Sequence, residues 1–295
     1  MPEGHTVHRV AGLFRRVFVG QVVAASSPQG RFSQGAAMLD GLVVDDAWAV
    51  GKQFFAGFGG DWVLRVHLGI YGAWSVHGVR QTDSLGAPRK KSPAEEGLRQ
   101  LAVDQFPPEP VGQVRLRVMS DTVVADLRGP TACEVISHEE AATLAQALGP
   151  DPLVGDDVVN RERFIERMSR TATPVGIALM NQKIVSGIGN VYRAELLFRH
   201  RLDPFIPARS ISTDQLGSLW DDWAVLLRRG VKTGVMVTRD DLSPAGAKKA
   251  LRDRKLRHFV YKRQGEPCLV CGHEVVMAPM QARKLYYCPH CQTAQ

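Results

Sequence analysis

Apolar residues return at helical spacing near the start of the chain. Val7, Val10, Ala11, Phe14 and Val17 share one side, while Arg9, Arg15 and Arg16 fall largely on other faces. This predicts a helix from about Thr6 to Val17 that buries one side and anchors the first residues. From Gln21 to about Leu127 the pattern shortens into β-like runs, among them Val43-Val44, Phe54-Phe55, Trp62-Val63-Leu64 and Val114 to Met119, with Gly-rich turns such as Gly57 to Gly60. Short strands with frequent turns indicate a sandwich or barrel. Residues 80–112, rich in Pro, Ser, Gly and charge, read as a long surface loop with a short helix near Leu98–Leu101. Two prolines and a glycine in Leu148-Gly149-Pro150-Asp151-Pro152-Leu153 suggest a linker. Beyond it helical patterns take over: Arg163 to Met168, Pro174 to Met180, Val191 to Phe198, Thr213 to Arg228 and Ala245 to Leu256. The end of the chain, from Phe259 to Gln295, is a short Cys-rich module, and no internal repeat is visible. The class is α+β.

Charge sharpens this picture through its distribution. The chain carries a net +7, and Lys248 to Gln295 alone holds ten Lys/Arg against three acids, an excess equal to that of the whole chain. A basic segment of this kind suits a polyanion, most simply nucleic acid, although a solvated basic face would look the same. No apolar run reaches about 18 residues, which argues against a membrane span. Glu3 and His5 stand where a secretory signal would have a basic patch and an apolar core, so an intracellular, cytoplasmic protein is expected.

Four of the five cysteines form Cys268-x2-Cys271 and Cys288-x2-Cys291, sixteen residues apart. Each pair makes a tight knuckle presenting two thiolates, and a hairpin between them can close the four around one tetrahedral Zn2+. Four thiolates leave no open coordination position, so this zinc is structural. His273 and His290 lie close by and are spare. Gln281-Ala282-Arg283-Lys284 would place cations near the hairpin tip. Cys133 sits in an apolar context and reads as a small buried hydrophobe.

Further candidates for chemistry lie elsewhere. If Met1 is removed ahead of the small Pro2, the chain begins with a secondary amine. An α-amino group has a pKa of about 7.7–8.0, so part of it is unprotonated at neutral pH. Such an amine condenses with an aldehyde to a cationic iminium, and Glu3 is placed to carry protons. A frayed terminus is the alternative. Lys52 stands at a bend between two apolar runs, either as an exposed charge or facing a phosphate or leaving group. His67-Leu68-Gly69-Ile70-Tyr71-Gly72 reads as a strand–turn–strand tip, where Ile70 and Tyr71 either fold back on the core or act as apolar wedges in a duplex. In Gly187-Ile188-Gly189-Asn190 the glycines allow positive φ, and Asn190 can cap the next helix. That makes either a phosphate site or a simple turn. His5 and His8, a helical turn apart, read as surface or DNA-facing.

Together, Pro2-Glu3, Lys52, Asn190-Val191-Tyr192 and the four cysteines resemble the formamidopyrimidine-DNA glycosylase/endonuclease VIII family, with the motifs in the family's order and spread over almost the whole chain. The resemblance implies a β-sandwich catalytic domain with flanking helices over 1–130, a helix-two-turn-helix DNA-binding domain over 150–257 and a four-Cys zinc-finger hairpin over 258–295, with damaged DNA in the cleft. It implies a monomeric, nucleoid-associated glycosylase/lyase of base excision repair. Pro2 would attack C1′ and expel an oxidised base, Glu3 would handle the sugar-ring oxygen and protons, and the iminium would permit β- and δ-elimination. Lys52 would contact phosphate or assist proton transfer. Asn190 and Arg283 would grip phosphates, Arg128 would be a further DNA contact, and Glu195 would match a family acid that is either functional or structural.

Pro2-Glu3-Gly4 and Ile70-Tyr71-Gly72-x-Trp74 look like endonuclease VIII, which favours oxidised pyrimidines, and the stretch from Pro2 to His8 looks like an actinobacterial subgroup of endonuclease VIII-like enzymes. His67-Leu68-Gly69 looks more like the purine branch. Thr6 replaces an acid of the endonuclease VIII pattern, and Gly69 stands where a polar wedge residue is expected. A zinc-finger DNA-binding protein with little or no catalysis is the alternative.

Overall fold

Helix α1 (Gly4–Val17) begins two residues earlier than its periodicity suggests and buries Val7, Ala11, Leu13 and Phe14. In this computed structural model, which describes residues 2–79 and 98–293, the chain folds as two units, Met1–Gln146 and Ala147–Gln295.

The first unit is the expected β-sandwich. Its strands are β1 (Ala24–Ser26), β2 (Val44–Val50), β3 (Gln53–Phe58), β4 (Trp62–His67), β5 (Ala73–Val79), β6 (Leu98–Leu101), β7 (Val114–Met119), β8 (Val123–Arg128) and β9 (Ala132–Ser137). One sheet runs β2-β3-β4-β9 and the other β1-β7-β8-β5-β6. Alternate residues of each strand point inward, so Phe54, Leu64 and Val66 of one sheet share a core with Val76, Leu116 and Leu127 of the other. Phe14 of α1 packs edge-on to Phe54 and Trp74, 4.9 and 4.8 Å between centroids.

Three features depart from the sequence reading. Leu98–Leu101 is not a helix but a strand pairing parallel with β5, since one helical turn is costly to nucleate and a sheet edge offers ready partners. The rest of the predicted loop up to residue 97 lies outside the described residues. Helices α2 (Ser33–Leu39) and α3 (His138–Gln146) were not foreseen. They bury only Ala36 and Leu39, and Ala141, too few positions to show a period. Cys133 is half-buried against the core, and desolvation pushes its thiol up to about 12.

The second unit is helical. Its elements are α4 (Asp157–Ser169), α5 (Val175–Ala178), α6 (Asn190–Arg199), α7 (Thr213–Thr233) and α8 (Pro244–Ala250), followed by the hairpin β10 (Val276–Met280) and β11 (Arg283–Tyr287). The helical pattern predicted to Leu256 stops at Ala250, and Arg254–Leu256 is a separate 3-10 turn. Asp156 caps α4, and Ser212 with Gln215 forms a capping box on α7. One core gathers Phe164, Tyr192, Leu196, Trp220 and Trp223, and a second joins Ala194 and Phe198 of α6 to Phe259, Val260 and Tyr286 of the finger. Helix α6 therefore faces two cores, and every residue from Asn190 to Phe198 is buried. Among the described residues no helix is long and apolar enough to cross a membrane.

Candidate active site and nucleic-acid interface

The chain start is docked. Glu3 is extended at the N-cap of α1, its carbonyl accepts from the amides of Thr6 and Val7 at 2.9 and 3.4 Å, and it is fully buried, while Pro2 stays half-exposed. Arg15, in the last turn of α1, pairs with Asp46 near the start of β2 at 2.8 Å. Phe14 rests on Phe54, level with Ala49 toward the end of β2. The helix thus runs back along β2. At about 1.5 Å per residue its first turn reaches the end of the sheet that carries the β2–β3 turn. That turn is Gly51-Lys52, with Lys52 half-buried. His67, opposite Gln53 in the register, lies at the same end. Its pKa is lowered by desolvation and then by the charges of Lys52 and Arg65, which places Lys52 and His67 in one electrostatic neighbourhood.

His5 is not on the surface. The first turn of α1 is covered, and His5 is 3% exposed with Nε2 3.2 Å from Thr6 Oγ1. Desolvation first, with Arg9 adding to it, lowers its pKa to about 4, so the ring is neutral at neutral pH. Below the ordinary 6.5 an unfolded chain takes up a proton that the folded one refuses. Stability should therefore fall between about pH 6.5 and 4, by at most about 3 kcal/mol. Urea unfolding across that range should show the slope, and His5→Asn should flatten it.

The tip after β4 joins two different sheets. Gly72 N–H closes it on the Leu68 carbonyl at 2.8 Å, and Ile70 and Tyr71 point outward, 50% and 87% exposed. They do not fold back on the core. Gly69 has φ +64°, and a Cβ there would meet Thr131 Oγ1 at 1.8 Å. A side chain at this position would strain the backbone and force Thr131 to move, so glycine suits the turn. Arg128, at the end of β8, is engaged locally. It donates to the Val111 carbonyl at 2.6 Å, Ser75 Oγ at 2.7 Å and Asp126 at 3.4 Å.

The Gly-Ile-Gly-Asn loop is shaped from below by Gln182. Its amide nitrogen donates to the carbonyls of Met180 and Ile188 at 3.0 and 3.1 Å, and its oxygen accepts from Gly187 N–H at 3.0 Å. Gly187 takes φ +101°, whereas Gly189 is extended at φ −118° and is itself the N-cap of α6. Asn190 is therefore the first helical residue and not the cap. Its Nδ2 donates to the Lys284 carbonyl at 2.8 Å, and its Oδ1 accepts from Arg193. The Arg193 guanidinium also reaches the Gly176 and Lys284 carbonyls, both at 3.4 Å. The helix start is thereby tied to β11 beside Arg283. The tip turns through Gln281 and Ala282, both at positive φ (47° and 56°), an uncommon conformation for residues with side chains.

Glu195 holds the other side of α6. Its buried carboxylate accepts from Thr238 Oγ1 at 2.5 Å and from the consecutive amides of Phe259, Val260 and Tyr261 at 2.8, 2.9 and 2.8 Å. This fixes the strand of chain that leads into the finger. Arg193 and Thr238 carry no role in the sequence reading. The signal for Arg193 is its place beside Glu195, two charges inside an otherwise apolar run of the helix.

The four cysteine sulfurs converge, all within 4.8 Å of one another, with Cys271–Cys288 at 3.5 Å and Cys268–Cys291 at 3.9 Å. Tetrahedral zinc with bonds of about 2.3 Å sets sulfurs about 3.8 Å apart, so the set fits that ion. Desolvation and the neighbouring thiols push Cys288 and Cys291 up. Against its own desolvation, Cys271 is lowered to about 6 by bonds from His273 and the other cysteines.

Comparison with known proteins places all three segments. The formamidopyrimidine-DNA glycosylase N-terminal domain matches residues 1–133, the formamidopyrimidine-DNA glycosylase H2TH domain matches 148–241, and the zinc finger found in FPG and IleRS matches 265–294. Endonuclease 8 1 of Mycobacterium tuberculosis is 41% identical over 293 residues, 99% of this chain and 100% of that one. Formamidopyrimidine-DNA glycosylase of Thermus thermophilus is 33% identical over 147 residues, 49% of this chain and 53% of the other. In fold, Lactococcus lactis Fpg solved with abasic-site DNA matches at TM-score 0.72 and 21% identity, over 99% of this chain and 100% of the other. The same protein with oxidised-pyrimidine DNA matches at 0.73 and 21%, with the same coverage.

Proposed function

From the premise that the chain belongs to the formamidopyrimidine-DNA glycosylase/endonuclease VIII family, we propose how its residues divide the excision of a damaged base. The protein is a bifunctional DNA glycosylase and abasic-site lyase of base excision repair, with a four-cysteine centre for one structural zinc. Pro2 is the nucleophile. Its nitrogen bonds to C1′ as the glycosidic bond breaks, and the base leaves with that electron pair and a proton. Loss of the ring oxygen from C1′ gives the iminium, whose positive charge lets C2′ release a proton and the C3′–O bond break. A second elimination at C4′ and C5′ frees the other phosphate. Glu3 relays protons at the ring oxygen, and Lys52 holds a phosphate or assists the transfer, with His67 beside it.

The observation that carries this reading is the docked start of α1. Glu3 is wholly buried at the head of a 14-residue helix. The partial positive charge of that helix end favours the uncharged amine next to it. Borohydride added to the protein with an abasic-site duplex should leave a covalent adduct; its absence would refute the assignment.

Ile70 and Tyr71 serve as wedges that fill the duplex when the nucleotide leaves it, which their exposure supports. Asn190 and Arg283 grip phosphates, and Arg128 steadies the sandwich edge near DNA. Arg283→Ala should weaken binding to all duplexes alike and reduce the slope of log K against log salt by about one. Fluorescence anisotropy over a salt series checks this, and a loss confined to one lesion would contradict it. The segments 1–130, 150–257 and 258–295 act as catalytic, helical DNA-binding and finger domains. The enzyme works as a monomer in the cytoplasm, at the nucleoid. Oxidised pyrimidines are its preferred substrates. This is supported by its likeness to a protein named Endonuclease 8 1. A panel of thymine-glycol and 8-oxoguanine oligonucleotides, single- and double-stranded, decides it, since faster excision of 8-oxoguanine would overturn the preference.

A further inference from the structure

The finger also brings two imidazoles together outside the four-thiolate centre. His273 follows the first knuckle and His290 lies within the second, and both are exposed. Their rings stack at 4.0 Å between centroids with planes 10° apart. One donor atom of each lies within 4.8 Å of the other and of Cys271 Sγ. The backbone beneath them is fixed. Cys268 N–H donates to the His273 carbonyl at 2.7 Å, and Cys291 N–H approaches Cys288 Sγ at 3.5 Å. The two rings therefore meet because the knuckles hold them there.

We propose that Cys271, His273 and His290 form a second, exposed metal site on the finger, for a borderline divalent cation such as Ni2+ or Zn2+. The donor set decides the class of ion. Two imidazoles and a thiolate suit late transition metals and exclude Mg2+ and Ca2+, which take oxygen ligands. A thiolate already bound to one zinc keeps lone pairs, so Cys271 can bridge two ions. Bonds of about 2.0–2.3 Å bring donors to within about 4 Å of each other. The two exposed rings must turn out of their parallel stack, so that both nitrogen lone pairs point at one ion, and their exposure leaves them room to do so. Three protein donors leave a fourth position to water. The outer ion is therefore exchangeable, whereas the inner one is enclosed. Occupancy would add two positive charges to the module that carries Arg283 and Lys284.

The test uses the untagged full-length protein holding its one structural zinc, titrated with NiCl2 by calorimetry and followed by metal analysis. A second equivalent should bind, with zinc retained. His273→Asn and His290→Asn should each weaken nickel binding by about tenfold or more, and the double variant should abolish it. In the unmodified protein, Ni2+ should selectively broaden the ring-proton NMR signals of His273 and His290. Absence of a second equivalent, an unchanged second equivalent in the double variant, or broadening confined to other histidines would each overturn the proposal. Since the NMR readout needs no variant, it stands even if a substitution costs the finger its zinc.

Discussion

A single residue retained ahead of Pro2 should abolish the borohydride-trapped adduct and lower strand cleavage by about a thousandfold or more. The reason is electronic and not steric alone. Acylating the Pro2 nitrogen delocalises its lone pair into an amide, and an amide neither attacks C1′ nor forms an iminium. Binding to an uncleavable abasic analogue should change far less, because the phosphate contacts assigned to Asn190 and Arg283 lie in the other unit. Intact mass establishes the state of the terminus, and gel analysis of trapped product gives the loss. Pro2→Gly separates two contributions. It leaves a primary amine whose orientation no ring fixes, so adduct should fall sharply. An adduct at full strength in both proteins would mean that a different amine, such as Lys52, performs the chemistry.

Glu195→Ala should be the most damaging single change in the second unit. It deletes a buried acceptor shared by Thr238 and three consecutive amides. Each donor left dry costs about 1–3 kcal/mol, so a loss of about 4 kcal/mol or more is expected even if some of the donors find water. The effect should be local before it is global, because those amides lie where the chain enters the finger. Zinc release to a chromogenic chelator should accelerate, and the urea midpoint should drop. Glu195→Gln preserves the shape but swaps one acceptor for a donor, so it should fall between wild type and Ala. Unchanged zinc release in Glu195→Ala would show that the carboxylate does not hold the finger.

The legible parts of this protein are those whose meaning is local. The Cys-x2-Cys pairs declare a zinc site because each knuckle needs only its own four residues, and the heptad-like start of α1 declares a buried face. Asn190 misled because its partner, the carbonyl of Lys284, lies 94 residues on. A cap inferred from neighbours lost to a tertiary contact. His5 looked exposed for a similar reason, since nothing in the first turn reveals that the rest of the unit covers it. Leu98–Leu101 joined a sheet because β5 offered an edge, which four residues cannot announce. Glu195 was noticed as an acid, but its purpose appears only with the four donors gathered around it. Family resemblance carried the functional reading further than periodicity could.

Helix α6 has a consequence for how this protein could be taken apart. Its Tyr192, Leu196 and Leu197 belong to one core, and Ala194 and Phe198 belong to that of the finger. A peptide cut from residue 258 onward would bind zinc with its interior still facing water where Phe198 should sit. The finger's core thus takes in residues that precede its cysteines by about seventy positions. Anyone transplanting this finger to another scaffold would need to carry the helix with it.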